Sequence, residues 1–407
     1  MDRQIIGVLL QPLKEAFHVS DTYLGFLSGL SFALFYVTLG IPIAAVSDRR
    51  SRRVIITLSM TVWSAMTAIC GFARTFPQLV LARIGVGIGE AGFTPAAFTV
   101  IADYFPRARR AGAMAIFGVG PMVGIMSGLL IGGWAAERFG WRGAFWIAGT
   151  PGLVFALLVW ATVKEPFRGM ADGAAPPRHA AGNLLTSAVR LWRIRSFRWI
   201  ALGSGLSSFA FFGFSTWMPA LLARSYHMPP GHIGRILGPI FGCAGALGTV
   251  ASGYLTDKLI LRDARWSVWL PSLAAVAAAP LAAAAFAAHA PSATIALYAC
   301  AYFFGIFFSA PTSSIVQSLV PLDLRARGSA WKLLVENLLG LGLGSQAIGY
   351  LSDRLAPIAG NDSLRRAMMF AVPAFLLPPI LYLLAARYIQ EDAGAQRGDD
   401  HRGGLNP

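Results

Sequence analysis

Phe105-Pro106-Arg107-Ala108-Arg109-Arg110-Ala111-Gly112 returns about 215 residues later as Val320-Pro321-Leu322-Asp323-Leu324-Arg325-Ala326-Arg327-Gly328, so the chain carries the same punctuation before a helix twice, as transporters built from repeated halves do. Pro95 and Pro311 match at a similar offset. The basic loop Ser47-Asp48-Arg49-Arg50-Ser51-Arg52-Arg53 is answered by Gly253-Tyr254-Leu255-Thr256-Asp257-Lys258. What surrounds these signals is apolar. Of 407 residues, 56% are hydrophobic and only 13% charged, with a mean hydropathy of +0.59. A soluble domain carries about a quarter charged residues, so the chain belongs in lipid.

Eleven stretches are long enough to cross a bilayer, which takes about 20 helical residues. They run over 20–46, 54–72, 76–104, 108–135, 141–163, 197–222, 232–256, 266–288, 292–318, 326–351 and 365–388. Met1-Asp2-Arg3 opens onto a short apolar run, Ile5 to Leu10, which reads as the second half of a first helix, truncated at its N-terminus. A version lengthened by about 15 to 20 apolar residues is expected to be more stable and more active. With that helix the count is twelve: an N-terminal six-helix bundle over 1–163, a linker over 164–196, a C-terminal six-helix bundle over 197–390 and an unstructured polar tail over 391–407. The linker ends in the basic-aromatic run Arg190 to Trp199, suited either to an interfacial helix or to a plain tether.

Net charge is +15, from 34 basic and 19 acidic residues. The bases lie in short loops rather than on one soluble face, which speaks against nucleic acid. Most of them fall on the linker's side of the helices, so by the positive-inside rule both termini are expected in the cytoplasm, in a bacterial inner membrane. Cys70, Cys243 and Cys300 lie inside apolar runs with neither metal-ligand nor disulfide spacing. Gly87-Ile88-Gly89-Glu90-Ala91-Gly92 matches a dinucleotide fingerprint formally, but no strand precedes it. No lysine follows a glycine, so there is no P-loop, and there is no nucleophile elbow. The expectation is no cofactor, no metal and no enzymatic activity; a membrane enzyme and a non-transporting sensor are the alternatives from other classes.

The string from Ala44 through Asp48-Arg49 and Arg52-Arg53 resembles the loop signature of the major facilitator superfamily, Gly-x-x-x-Asp-Arg-x-Gly-Arg-Arg, with Ala44 and Ser51 in place of its glycines. More narrowly, Asp2-Arg3-Gln4, Phe17-His18-Val19-Ser20-Asp21 and Arg83-Ile84-Gly85-Val86-Gly87 leading to Glu90-Ala91 resemble the Spinster-type branch. The resemblance implies an all-α polytopic membrane fold of two pseudo-symmetric six-helix bundles that rock about a central cavity. It also implies a cargo near sphingolipids or lysophospholipids, with Asp2 and Glu90 as proton-responsive acids beside the cation Arg83.

Stripes of small residues at four-residue spacing let helices approach closely. They occur on the fifth helix (Gly120, Gly124, Gly128, Gly132) and the eighth (Gly234, Gly238, Gly242), and more briefly on the second (Gly25, Gly29) and eleventh (Gly340, Gly344). In the superfamily these helices form the moving seam. Gating is expected from Asp48, taking hydrogen bonds at the start of the eleventh helix near Arg325, and from Asp257, mirrored against the fifth near Arg107, with Arg49, Arg52 and Arg110 alongside.

Charges within apolar helices are candidate functional residues by default. They are Asp2 and Arg3, Arg83 and Glu90, and Lys332 and Glu336. The last pair is four apart and can neutralise itself. Arg83 and Glu90 are seven apart, about 10 Å along the helix axis, too far for a direct pair. Asp2 or a substrate headgroup is the expected partner for each. Phe209, Phe211, Phe212, Phe214 and Trp217 crowd the seventh helix, and Tyr302, Phe303, Phe304, Phe307 and Phe308 the tenth. With Arg83 and Arg3 on the polar side and Trp217 and Phe304 on an apolar wall, the cavity suits an anionic amphiphile; the competing cargo is a small organic anion or sugar phosphate. Partners are thus a small-molecule or lipid substrate, protons and membrane lipids, with no nucleic acid, in a monomer.

Overall fold

The computed structural model describes the chain except residues 48–49, 168–169, 172–183, 322–323 and 404–407. Asp48 and Arg49 therefore lie outside the described residues. Among those described the chain is helical with no strand. That is the solution hydrocarbon imposes, because each helix satisfies its own backbone hydrogen bonds. The helices are α1 (Asp2–Phe17), α2 (21–47), α3 (Arg52–Cys70), α4 (Phe76–Tyr104), α5 (107–139), α6 (141–162), α7 (Arg195–Tyr226), α8 (Pro230–Ile260), α9 (Trp266–Ala287), α10 (Pro291–Leu319), α11 (325–359) and α12 (363–403), with a linker helix over Leu184–Arg193.

Local chemistry explains the joints. Gly140 separates α5 from α6 at φ +70°, a left-handed value that favours glycine. His18 and His227 end α1 and α7 at the same φ of 52°, so the halves share a turn as well as a motif. The chain widens to π-helical turns at Phe26–Leu30 in α2, Ile240–Ala244 in α8 and Asn337–Gly344 in α11, three of the helices that carry small-residue stripes.

The compact units do not follow chain order. One gathers Met1–Arg178, Thr216–Gly242 and Ser345–Arg354; the other gathers His179–Ser215, Cys243–Gly344 and Leu355–Pro407. In the first, a side chain on Gly128 would meet Met1 and one on Gly132 would meet Ile5, so this stripe seats α5 on α1 and not on α8. Gly124 likewise faces Met1, and Gly120 meets nothing within 4 Å. The α5–α8 contact uses another face: Gly234 lies against the carbonyl oxygen of Leu129, Gly238 against Leu130, and a Cβ on Gly242 would stand 2.9 Å from Met126 Cβ. Gly25 approaches Ser345, where a Cβ would be 2.7 Å from its carbonyl oxygen. Gly340 and Gly344 do not join this contact; in the second unit they pack against Ser208 and Phe209 of α7. A stripe fixes close approach but not the partner. Gly234→Val is accordingly expected to cost about 1–3 kcal/mol by overpacking. Gly120→Ala should leave thermal stability unchanged or raised, since alanine favours helix and nothing opposes its methyl; a matched loss in both variants would refute this packing.

The second unit is built on Leu191, Phe197, Ile200, Val268, Val316, Leu319, Tyr382 and Ile389. Tyr382 and Ser207 share a hydrogen bond of 3.0 Å inside it. The tail departs from expectation, because α12 continues to Gly403. Asp392 gives that extension a role: its carboxylate accepts from the Ser196 amide (2.8 Å) and hydroxyl (2.6 Å), tying down the start of α7.

Candidate binding site and gates

α1, α2 and α4 of the first unit bring the intramembrane charges together. Arg3 donates to Glu90 and lies over the rings of Phe32 at 4.5 Å and Tyr36 at 4.7 Å. The partner expected for Glu90 from sequence, Asp2, is thus replaced by its neighbour on α1. Asp2 accepts from the Thr67 hydroxyl at 3.5 Å instead. Arg83 is 1% exposed and stands 5.5 Å from the Phe32 ring centre. Its Nε and Nη1 are buried without a hydrogen-bond partner. An unpaired guanidinium in such a place costs on the order of several kcal/mol, so an anion arriving beside it would find its donors waiting.

A second cluster, which sequence reasoning missed, lies at the end of the helices away from the linker. Asp21, 1% exposed at the start of α2, accepts from Arg224 on α7 at 2.6 and 2.7 Å, from Lys14 at 2.7 Å and from Ser352 on α11 at 2.6 Å. Arg224 also donates to Gln11 at 2.6 Å. Asp353 caps α2, accepting from the amides of Asp21 (2.9 Å) and Thr22 (2.7 Å). A carboxylate at a helix N-terminus is the contact the sequence assigns to Asp48; here Asp353 makes it at the opposite end. The signal was present. Gly349-Tyr350-Leu351-Ser352-Asp353-Arg354-Leu355 repeats Gly253-Tyr254-Leu255-Thr256-Asp257-Lys258-Leu259 almost letter for letter. On α5, Glu137 likewise lies against Gly231 in the first turn of α8.

On the linker's side, Arg52 acts as an internal clip. It is buried, pairs with Asp103 and donates to Glu165 at 3.2 Å and to the Pro166 carbonyl at 2.9 Å. Glu165 also accepts from the Ser51 hydroxyl and the amides of Arg52 and Arg53, closing the N-terminus of α3. Partial burial works to raise the Glu165 pKa, but these hydrogen bonds outweigh it and hold it below the ordinary glutamate value of 4.5. A carboxyl depressed by folding stabilises above its unfolded pKa and loses that contribution as pH falls through the folded one. Melting temperature is therefore expected to fall with acidification below about pH 5 less steeply in Glu165→Gln than in the parent; parallel curves would refute it.

Other expected site residues are placed differently. Trp217 is fully buried and its Nε1 donates to the Ser345 carbonyl at 2.8 Å, so it packs α7 on α11. Phe304 is half-buried in a ring cluster with Phe303 and Phe307. Arg110, at the start of α5, reaches back across the α4–α5 joint to the Ala102 and Phe105 carbonyls. Arg325 and Asp257 are exposed. Lys332, buried, donates to Glu336 at 2.6 Å and to Ser313 at 3.1 Å.

Residues 1–345 match the sequence profile of the Major Facilitator Superfamily. The chain belongs to that superfamily. It is 34% identical over 392 residues to an MFS-type efflux pump of Mycolicibacterium smegmatis, covering 95% of this chain and 90% of the other. It is 26% identical over 416 residues to the sphingosine-1-phosphate transporter SPNS2 of Danio rerio, covering 96% and 82%. The fold matches the inward-facing, unoccupied crystal structure of a bacterial homologue of the human lysosomal transporter Spinster. That match has a TM-score of 0.88 at 29% identity and covers 96% of this chain and 94% of the other. This major facilitator protein therefore falls in the Spinster branch: it is an integral membrane transporter, not an enzyme.

Proposed function

We propose that this transporter is proton-coupled and works by alternating access, with an anionic amphiphile as cargo and both termini in the cytoplasm. The observation that carries the reading is Arg83, buried with Nε and Nη1 unmet, on the same helix as Glu90, a carboxylate already held by a second arginine. A headgroup that takes Arg83 also competes with Glu90 for Arg3. A proton on Glu90 weakens its hold on Arg3 and favours the headgroup, so proton and anion bind cooperatively and cross together. Arginine does not titrate usefully, so the proton resides on Glu90 or Asp2. The rings of Phe32 and Tyr36 give an apolar body a surface beside the charge. Similarity to a sphingosine-1-phosphate transporter supports such a cargo.

The test is substrate-driven proton movement in proteoliposomes, with lysolipids, sphingoid-base phosphates and small organic anions compared as cargo. Glu90→Gln, which mimics the protonated acid, is expected to keep binding while losing the pH dependence of flux. If Glu90→Gln and Asp2→Asn each retain pH-dependent flux with proton movement, coupling resides elsewhere.

A further inference from the structure

The second unit carries, at the end of its helices next to the linker, a set of arginines that the transport reading does not use. Arg195 opens α7 and lies 5.2 Å from the Tyr388 ring; Arg198, a turn later, lies 5.0 Å from the Trp199 ring. Arg265 precedes α9 and donates to Gln390 at 3.1 Å. With the Ser196–Asp392 hydrogen bonds, these contacts gather the starts of α7 and α9 around the Tyr388–Asp392 segment of α12. None of the three arginines forms an ion pair among the described residues, and the Nε atoms of Arg198 and Arg265 are buried without a partner. Of the nearby carboxylates, Asp392 is committed to the start of α7 and Asp263 to the Arg265 amide at 2.8 Å, while the exposed Glu391 pairs with none of the three arginines among the described residues. Trp199 and Trp266 are partly buried and directly follow Arg198 and Arg265 in sequence, and indoles are enriched at the boundary between hydrocarbon and headgroups.

We propose that this cluster is a binding site for the phosphate headgroup of an anionic phospholipid. Charge selects the occupant: arginines without carboxylate partners have donors left for a phosphodiester, and the neighbouring indoles are of the kind enriched at headgroup depth. A zwitterionic lipid brings a compensating ammonium that this patch does not match. The bound lipid would brace α12 against α7 and α9 at the point where Asp392 already fastens them.

The experiment uses the full chain in nanodiscs of phosphatidylcholine alone or with increasing phosphatidylglycerol, reading melting temperature and, by native mass spectrometry, retained lipid. Phosphatidylglycerol should raise the melting temperature and be retained, and Arg198→Gln/Arg265→Gln should weaken that affinity by roughly tenfold. Arg74→Gln, which removes a charge elsewhere, should leave it unchanged. Arg198→Lys/Arg265→Lys, which keeps charge but not the fork, should retain an intermediate share and guards against simple misfolding. Equal retention in the parent and the glutamine variant, equal stabilisation by phosphatidylcholine, or full stabilisation by inorganic phosphate in its place would each overturn the proposal.

Discussion

Arg83→Ala is expected to abolish measurable binding of an anionic cargo while leaving the empty protein as stable as before or more so. Hydrogen bonds to a charged group are worth about 1.5–3 kcal/mol each, so losing two of them weakens binding by roughly a hundredfold or more. The second half of the expectation follows from burial: Arg83 is 1% exposed with two unmet nitrogens, so its removal deletes a desolvated charge that the Phe32 ring and its acidic neighbours offset only in part. Arg83→Lys keeps the charge but loses the two-pronged geometry, and should fall between. Equilibrium binding at fixed pH and melting of the unliganded protein check both halves. A large loss of stability in the empty alanine variant would mean that Arg83 is a structural residue, and the binding role would lose its main support.

Arg224→Ala is expected to open the far-side cluster. Breaking a buried ion pair by removing one partner costs about 3–5 kcal/mol, because the remaining charge is stranded. Asp21 would keep only Lys14 and Ser352 of its three side-chain partners. Against the few kcal/mol that separate alternating states, this is enough to change which one predominates. Leu24, fully buried just beyond the cluster, offers the readout: Leu24→Cys should label slowly alone and much faster with Arg224→Ala. Unchanged labelling would show that Asp21 and Arg224 hold local structure only.

Much of this was legible in the sequence because the chemistry is repetitive. Apolar length gave the membrane helices, and isolated charges within them gave Arg3, Arg83, Glu90, Lys332 and Glu336. The missing information is pairing. Arg3 and Asp2 are adjacent in sequence, and only the rotation of α1 against α4 decides that Arg3 meets Glu90 while Asp2 meets Thr67. Glycine stripes mark a helix as able to approach another, yet α5 spends one face on α1 and the next on α8. Trp217 was expected on a cavity wall because aromatic density says nothing about direction; its indole is turned to Ser345. The Asp21 cluster escaped notice because its acids and bases come from α1, α2, α7 and α11 and look, one at a time, like loop charges.

The wide turns have a mechanical consequence. Two of the passages from one compact unit to the other fall in these turns, between Gly242 and Cys243 in α8 and between Gly344 and Ser345 at the end of the wide turn of α11, whereas those at Ser215–Thr216 and Arg354–Leu355 fall in regular helix. A loop at either point would strand backbone amides in hydrocarbon, while a regular helix would be a stiff rod. A coil loosened over five or eight residues does neither. Each wide turn is in this sense a flexure, a continuous beam thinned at one point, expected to let its own helix yield there without exposing a broken end to lipid.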